Sequence, residues 1–86
     1  MNKNTNFNPR QIYLDRVMEE LKKEGIKGVN ALKCHKQTGM MRTTAERYLR
    51  YLREEGKIIE VPIGKAKVFM HPKSVINEME EIMKNE

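Results

Sequence analysis

The chain contains no tryptophan, one cysteine, three prolines and 6% aromatic residues. Cys34 alone cannot close an internal disulfide, so no covalent staple is expected. The two histidines, His35 and His71, offer no metal-ligand spacing around that thiol, and neighbours such as Cys34 and His35 point about 100° apart on a helix. Neither a metal, a cofactor nor a catalytic residue is therefore expected. No run approaches the roughly 18 apolar residues that a bilayer span requires. The opening MNKNTNFNPR lacks an apolar leader segment. These absences read as an intracellular, cytoplasmic protein with no membrane partner and no small-molecule substrate. Of the tyrosines Tyr13, Tyr48 and Tyr51, which could serve in aromatic stacking, Tyr48 reads as partly buried core and Tyr51 is left open.

What the sequence does have is charge. At 86 residues, 38% hydrophobic and 34% charged, the chain fits one small domain that hides about 60 to 65% of its unfolded surface. A deep cleft between two lobes is not expected at that size. The formal charge is +5, and it is unevenly spread. Residues 1–26 carry five basic and four acidic side chains, residues 27–73 eleven and four, and residues 74–86 one and four. The basic surplus lies in the middle, a profile suited to a nucleic-acid or other polyanionic partner.

Local signals divide the chain. Asn8 as a cap, Pro9 at the first helical position, Gln11 reaching back and a Phe7–Ile12 staple predict a helix over about 9–24. Leu14, Val17, Met18 and Leu21 form its apolar stripe, and Lys22 and Lys23 suit its C-terminus. A short second helix is expected from the Asn30 cap to Gly39, with Val29 and Cys34 as its staple, and Met40 is expected to turn back into the core. Thr43 and Glu46 have capping-box spacing for a third helix running to Gly56. The segment KIIEVPIGKAKVFMH reads as a hairpin of two short strands, with Pro62 restricting pairing near its tip. PKSVINEMEEIMKNE reads as a fourth, amphipathic helix. The domain reading is a flexible tail over 1–8, one domain over 9–72 and a C-terminal helix over 73–86.

The third helix frames the functional question. On a helical wheel Ala45, Leu49 and Leu52 share one face with Tyr48 beside them, whereas Thr43, Arg47, Arg50 and Glu54 project opposite. Arg42, Glu46 and Arg53 take one flank, and Thr44 and Tyr51 the other. Two readings stand at this point: Arg47 and Arg50 pair with Glu46 and Glu54 in water at small net gain, or the face meets an anionic partner.

The order of short helix, glycine turn, longer helix and hairpin, carried by VNALKCHKQTGMMRTTAERYLRYLREEGKII, resembles the winged helix-turn-helix superfamily over about residues 9–71. The implied fold is mainly α with a small β-hairpin: a three-helix core, a β wing and a C-terminal helix. Asn30 matches the family's cap, Cys34 its buried aliphatic position, Gly39 its turn glycine and Met40 the apolar residue after it. Ala45, Leu49 and Leu52 match the core positions of the recognition helix. His35 departs from the usual small residue, and Met41 from the usual Ser or Thr cap. The resemblance implies that Arg42, Thr43, Thr44, Arg47 and Arg50 meet the major groove, where arginine can bond guanine O6 and N7 together. Lys65 and Lys67 on the wing tip, and Lys33 and Lys36 on the second helix, are the implied phosphate contacts.

Val75, Ile76, Met79, Ile82 and Met83 fall on one face of the last helix. That face either covers the protein's own core or pairs with a second copy, and a homodimer is expected, with Tyr13 and Val17 of the first helix contributing. The expected function is sequence-specific binding of double-stranded DNA by a dimeric, repressor-like and nucleoid-associated transcription regulator. A plasmid or phage partition adaptor on centromere repeats is the alternative within the same binding mode. A winged-helix protein–protein interaction module is the alternative outside it.

Overall fold

The structure is a computed structural model that describes residues 9–84. The expected tail, the Asn8 cap and the Phe7 staple lie outside the described residues. Helix α1 runs Pro9–Glu24, α2 Ala31–Thr38 and α3 Arg42–Glu54; strands β1 (Ile59–Ile63) and β2 (Ala66–Met70) follow, then α4 (Pro72–Lys84). Leu14, Val17 and Leu21 of α1, Cys34 of α2 and Ala45, Leu49 and Leu52 of α3 are buried together with Val29, Met40, Ile58 and Phe69 in one apolar cluster. Helices α1 and α3 thus contribute the stripes that their periodicity marks out, and α2 contributes Cys34. Val17 has no exposed surface. It is a core residue, so it is withdrawn from any surface open to a second copy: its stripe faces the other two helices.

Local chemistry sets the helix ends. Asn30 Oδ1 accepts the Lys33 backbone N–H at 2.7 Å and caps α2. Gly39 follows α2 at φ 79°, a left-handed conformation that costs a residue without Cβ little, and its N–H donates to the His35 carbonyl at 3.0 Å. Thr38 braces the same turn from inside: its hydroxyl donates to the Cys34 carbonyl at 2.7 Å and accepts the Met40 N–H at 3.2 Å. His35 Nδ1 donates to the Met40 carbonyl, a hydrogen bond across the turn that a smaller residue would leave unmade.

The expected Thr43–Glu46 capping box does not form. Met41 occupies the cap position in extended conformation, no side chain caps the helix, and α3 begins at Arg42. The reason is tertiary: Met40 is buried at 7% exposure straight after the glycine turn, which feeds the chain into the helix ahead of the threonines. Thr43 consequently sits in the first turn.

The hairpin pairs Ile59 with Met70 through Ile63 with Ala66 in antiparallel register. Its two-residue turn has positive φ at Gly64 (61°) and not at Lys65, the pattern of a type II′ turn. Two features go beyond the sequence reading. A 3₁₀ turn, Gly25–Lys27, extends α1. After it, Val29 and Phe69 exchange backbone hydrogen bonds, both at 2.9 Å, so the wing is stitched to the segment entering α2. Gly28 makes that approach possible, because a Cβ there would lie 2.2 Å from Val68 Cγ1 and 3.0 Å from the Phe69 carbonyl oxygen.

Helix α4 is capped by His71, whose Nδ1 accepts the Lys73 N–H at 3.0 Å. It touches the Gly25–Lys27 turn, yet none of its described residues is buried. Its apolar face therefore does not cover the core.

Candidate nucleic-acid interface

Helix α3 is seated by Ala45, Leu49 and Leu52, which fixes what its other faces present. Arg42, Thr43, Glu46, Arg47 and Arg50 are exposed, and Thr44 is half-buried. Helix α3, the wing and the start of α2 border a groove of about 410 Å³ whose lining includes Arg42, Glu46, Arg50, Arg53, Glu60, Lys65, Lys67 and Phe69. The fold therefore brings two α3 arginines and both wing-tip lysines to one concave surface. On the opposite flank of α3 lies a second groove, lined by Arg10, Arg47, Arg50, Tyr51 and Glu54. Arg50 borders both.

Among the described residues, Arg42, Arg47 and Arg50 make no ion pair, hydrogen bond or ring contact. The pairing of Arg47 and Arg50 with Glu46 and Glu54 is absent; Glu54 instead lies 3.5 Å from Arg53. The cations of the wing tip, Lys65 and Lys67, are likewise without a described partner. Several unneutralised cations on one face create a positive potential that attracts anions from a distance.

Lys33 is placed differently. Its ammonium is 2.6 Å from Glu24 Oε1, and Gln37 Nε2 donates to the other oxygen of the same carboxylate at 3.0 Å. These contacts, with Lys33 first and Gln37 second, hold the Glu24 carboxyl below its ordinary range. Lys33 thus braces α2 against the end of α1 and is not gathered into either groove. Lys36 is exposed on α2, also outside both.

Two residues of this surface carry no sequence signal. Arg53 Nη1 donates to Glu60 Oε1 at 2.7 Å and ties the end of α3 to β1. The Arg10 guanidinium lies 4.3 Å above the Tyr51 ring centroid, a cation–π contact that joins α1 to α3. Tyr13 stacks on Tyr48, with centroids 6.0 Å apart, and stays 41% exposed. Among the described residues no three His, Cys, Asp or Glu side chains are grouped to hold a metal. No helix among them is long and apolar enough to cross a membrane.

Three helices with a glycine turn between the second and third, followed by an antiparallel hairpin, define a winged-helix fold. Among solved structures the chain is similar to one of HOP2, described by its DNA recognition and protein interaction domains and by homologous DNA pairing properties. The two share 22% identity and a TM-score of 0.58, over 69% of this chain and 97% of that chain. At that identity the likeness establishes the fold. No protein-family model and no curated protein matches the sequence.

Proposed function

We propose that this protein binds double-stranded DNA sequence-specifically as a homodimer and regulates transcription in a repressor-like manner, by occluding a promoter. The observation that carries the reading is the set Arg42, Arg47 and Arg50: three arginines on the exposed side of α3 with no partner among the described residues, of which Arg42 and Arg50 line the same groove as Lys65 and Lys67 of the wing. A solvated helix of the bland kind neutralises such arginines locally, and Glu46 is spaced to pair with Arg50. Here that pair is not made. The fold shared with a DNA-recognition structure supports the same reading.

Helix α4 supplies the support for a dimer. Ile76, Met79, Ile82 and Met83 are 53%, 56%, 54% and 70% exposed, a continuous apolar stripe on a single helix with no core to cover. Pairing with the same stripe on a second copy buries it and sets two recognition helices on a two-fold axis, the symmetry of a palindromic operator. Tyr13 stays exposed on α1 and Val75 half-buried on α4, so both remain open to this interface.

The test is duplex binding across a salt series. Several phosphate contacts give a log–log slope of roughly −4 to −8, at about 0.9 per contact, and a flat slope or no binding rejects the DNA reading in favour of a protein-interaction module. Footprinting separates a single operator from the extended repeat array of a partition adaptor. Sedimentation of wild type and Met79→Glu separates a dimer dissolved by a charge in the stripe from a monomer indifferent to it.

A further inference from the structure

Two carboxylates line the groove between α3 and the wing, and they are in different states. Glu60 is held by Arg53 at 2.7 Å. Glu46 is exposed and makes no ion pair or hydrogen bond with any described residue, although Arg42 and Arg50 stand one turn before and after it on α3. A free carboxylate in the middle of a cationic groove is unfavourable for a partner recognised by phosphate alone, because it repels what Arg42, Arg50, Lys65 and Lys67 attract. Such a group weakens indiscriminate binding and strengthens binding only where it meets a hydrogen-bond donor.

Resting on the DNA reading above, we propose that Glu46 is a specificity-determining residue that accepts a hydrogen bond from the exocyclic amino group of a cytosine in the major groove. The chemistry of the base edges selects cytosine. Guanine offers two acceptors, N7 and O6, and thymine offers O4, all of which repel a carboxylate. Adenine has an amino donor, but its N7 acceptor lies beside it and faces the second carboxylate oxygen. Cytosine presents N4–H₂ with no major-groove acceptor of its own. The position fits: Glu46 lies in the second turn of α3, flanked by unpaired arginines that position the backbone or read a neighbouring guanine. Glu46 thus acts twice, as a reader of one base pair and as a repellent of non-cognate DNA.

The experiment is selection of binding sites from a randomised duplex pool by the full chain and by Glu46→Ala and Glu46→Gln, with affinity for non-specific duplex measured alongside. Glu46 is exposed, so circular dichroism and thermal melting of both variants are expected to match wild type. Wild type is expected to select a cytosine at one position. Glu46→Ala is expected to lose that preference by about tenfold, keep the others and bind random duplex more tightly; Glu46→Gln is expected to turn the position toward adenine, which a side-chain amide bonds in two places. Wild-type binding with an unchanged base preference in Glu46→Ala overturns this proposal alone. Failure of wild type to bind duplex overturns the DNA reading and this proposal with it.

Discussion

Arg53 and Glu60, 2.7 Å apart, fasten the last turn of α3 to the first strand of the wing. Both belong to the groove that holds the unpaired cations, so this contact helps set how the wing tip stands relative to α3. Arg53 remains 39% exposed at its side chain, which keeps the stability contribution near that of a surface pair. Arg53→Ala and Glu60→Ala are each expected to lower stability by about 0.5 to 1 kcal/mol, with a coupling of similar size in the double mutant. Urea unfolding gives these values. Hydrogen exchange is expected to quicken across the hairpin and not in the three-helix core, and equal exchange everywhere would argue against a clamp on the wing.

Gly28 and Gly39 both have positive φ, 72° and 79°, yet their substitutions should differ. At Gly39 no atom stands within 4 Å of an added Cβ, so alanine meets the backbone cost alone, about 1 to 2 kcal/mol. At Gly28 the Cβ collides with Val68 and crowds the Phe69 carbonyl, and the backbone and steric costs together reach roughly 2 to 4 kcal/mol. Thermal melts of the two alanine variants check the order. A Gly28→Ala protein as stable as Gly39→Ala would mean that the wing is not held against residue 28.

Arg47 and Arg50 are exposed and make no ion pair, side-chain hydrogen bond or ring contact with any described residue, so replacing them should leave the melting temperature nearly unchanged. Each alanine substitution is expected to weaken duplex binding, and an arginine that neutralises one phosphate should, once removed, make the salt slope shallower by about 0.9. An arginine that instead reads a base costs about 1 to 3 kcal/mol at the cognate site and little on random DNA. Full retention of binding by the double mutant rejects α3 as the recognition helix.

Cys34 is fully buried, and burial pushes its thiol from 9.0 up to about 11. Only the thiolate reacts readily, so at neutral pH an alkylating reagent should leave the folded protein untouched and label it at once in denaturant. Between pH 9 and about 11 the unfolded chain has lost this proton while the folded one keeps it, so stability falls as pH rises through that window. On the acid side the sign is opposite. Glu24 is held low by Lys33 and Gln37, and the stability it contributes is present above the ordinary carboxylate range and lost as pH falls through its lowered value. His71 is held low by burial, then by Lys22 and Lys73, and adds a loss of the same sign below the ordinary histidine range. Melting temperature against pH should decline on both sides, with the alkaline decline between pH 9 and about 11 shallower in Cys34→Ala.

The helices were legible because their signals are short-range. Pro9 at the start of α1, the Asn30 cap, Gly39 after α2 and the spacing of Ala45, Leu49 and Leu52 lie within one or two turns of what they control, and the observed elements follow them. Burial of Leu14 and Leu21 follows from helical periodicity, that of Cys34 from its staple position with Val29, and that of Met40 from the glycine turn before it. Where the local signals of α3 conflicted, the one closer to the core prevailed: the glycine turn and the buried Met40 started the helix, and the Thr43–Glu46 spacing was left unused. The wheel also placed Arg47 and Arg50 outward, which local geometry alone can decide.

The amino-acid sequence by itself determined four helices, a hairpin, a basic middle and an outward-facing row of arginines, because hydrophobic period, caps and turn residues act over a few residues. Tertiary structure alone decided which of those charges are neutralised and which surfaces they share. Lys33 was turned to Glu24, Arg53 to Glu60 and Arg10 to Tyr51, whereas Arg42, Arg50, Lys65 and Lys67 were left together in one groove. The same packing put Val17 wholly inside and left Ile76, Met79, Ile82 and Met83 on the apolar face of α4 exposed. Partners distant along the chain meet only when the core closes, and a charge or an apolar stripe has no assignment until its neighbours in space are fixed.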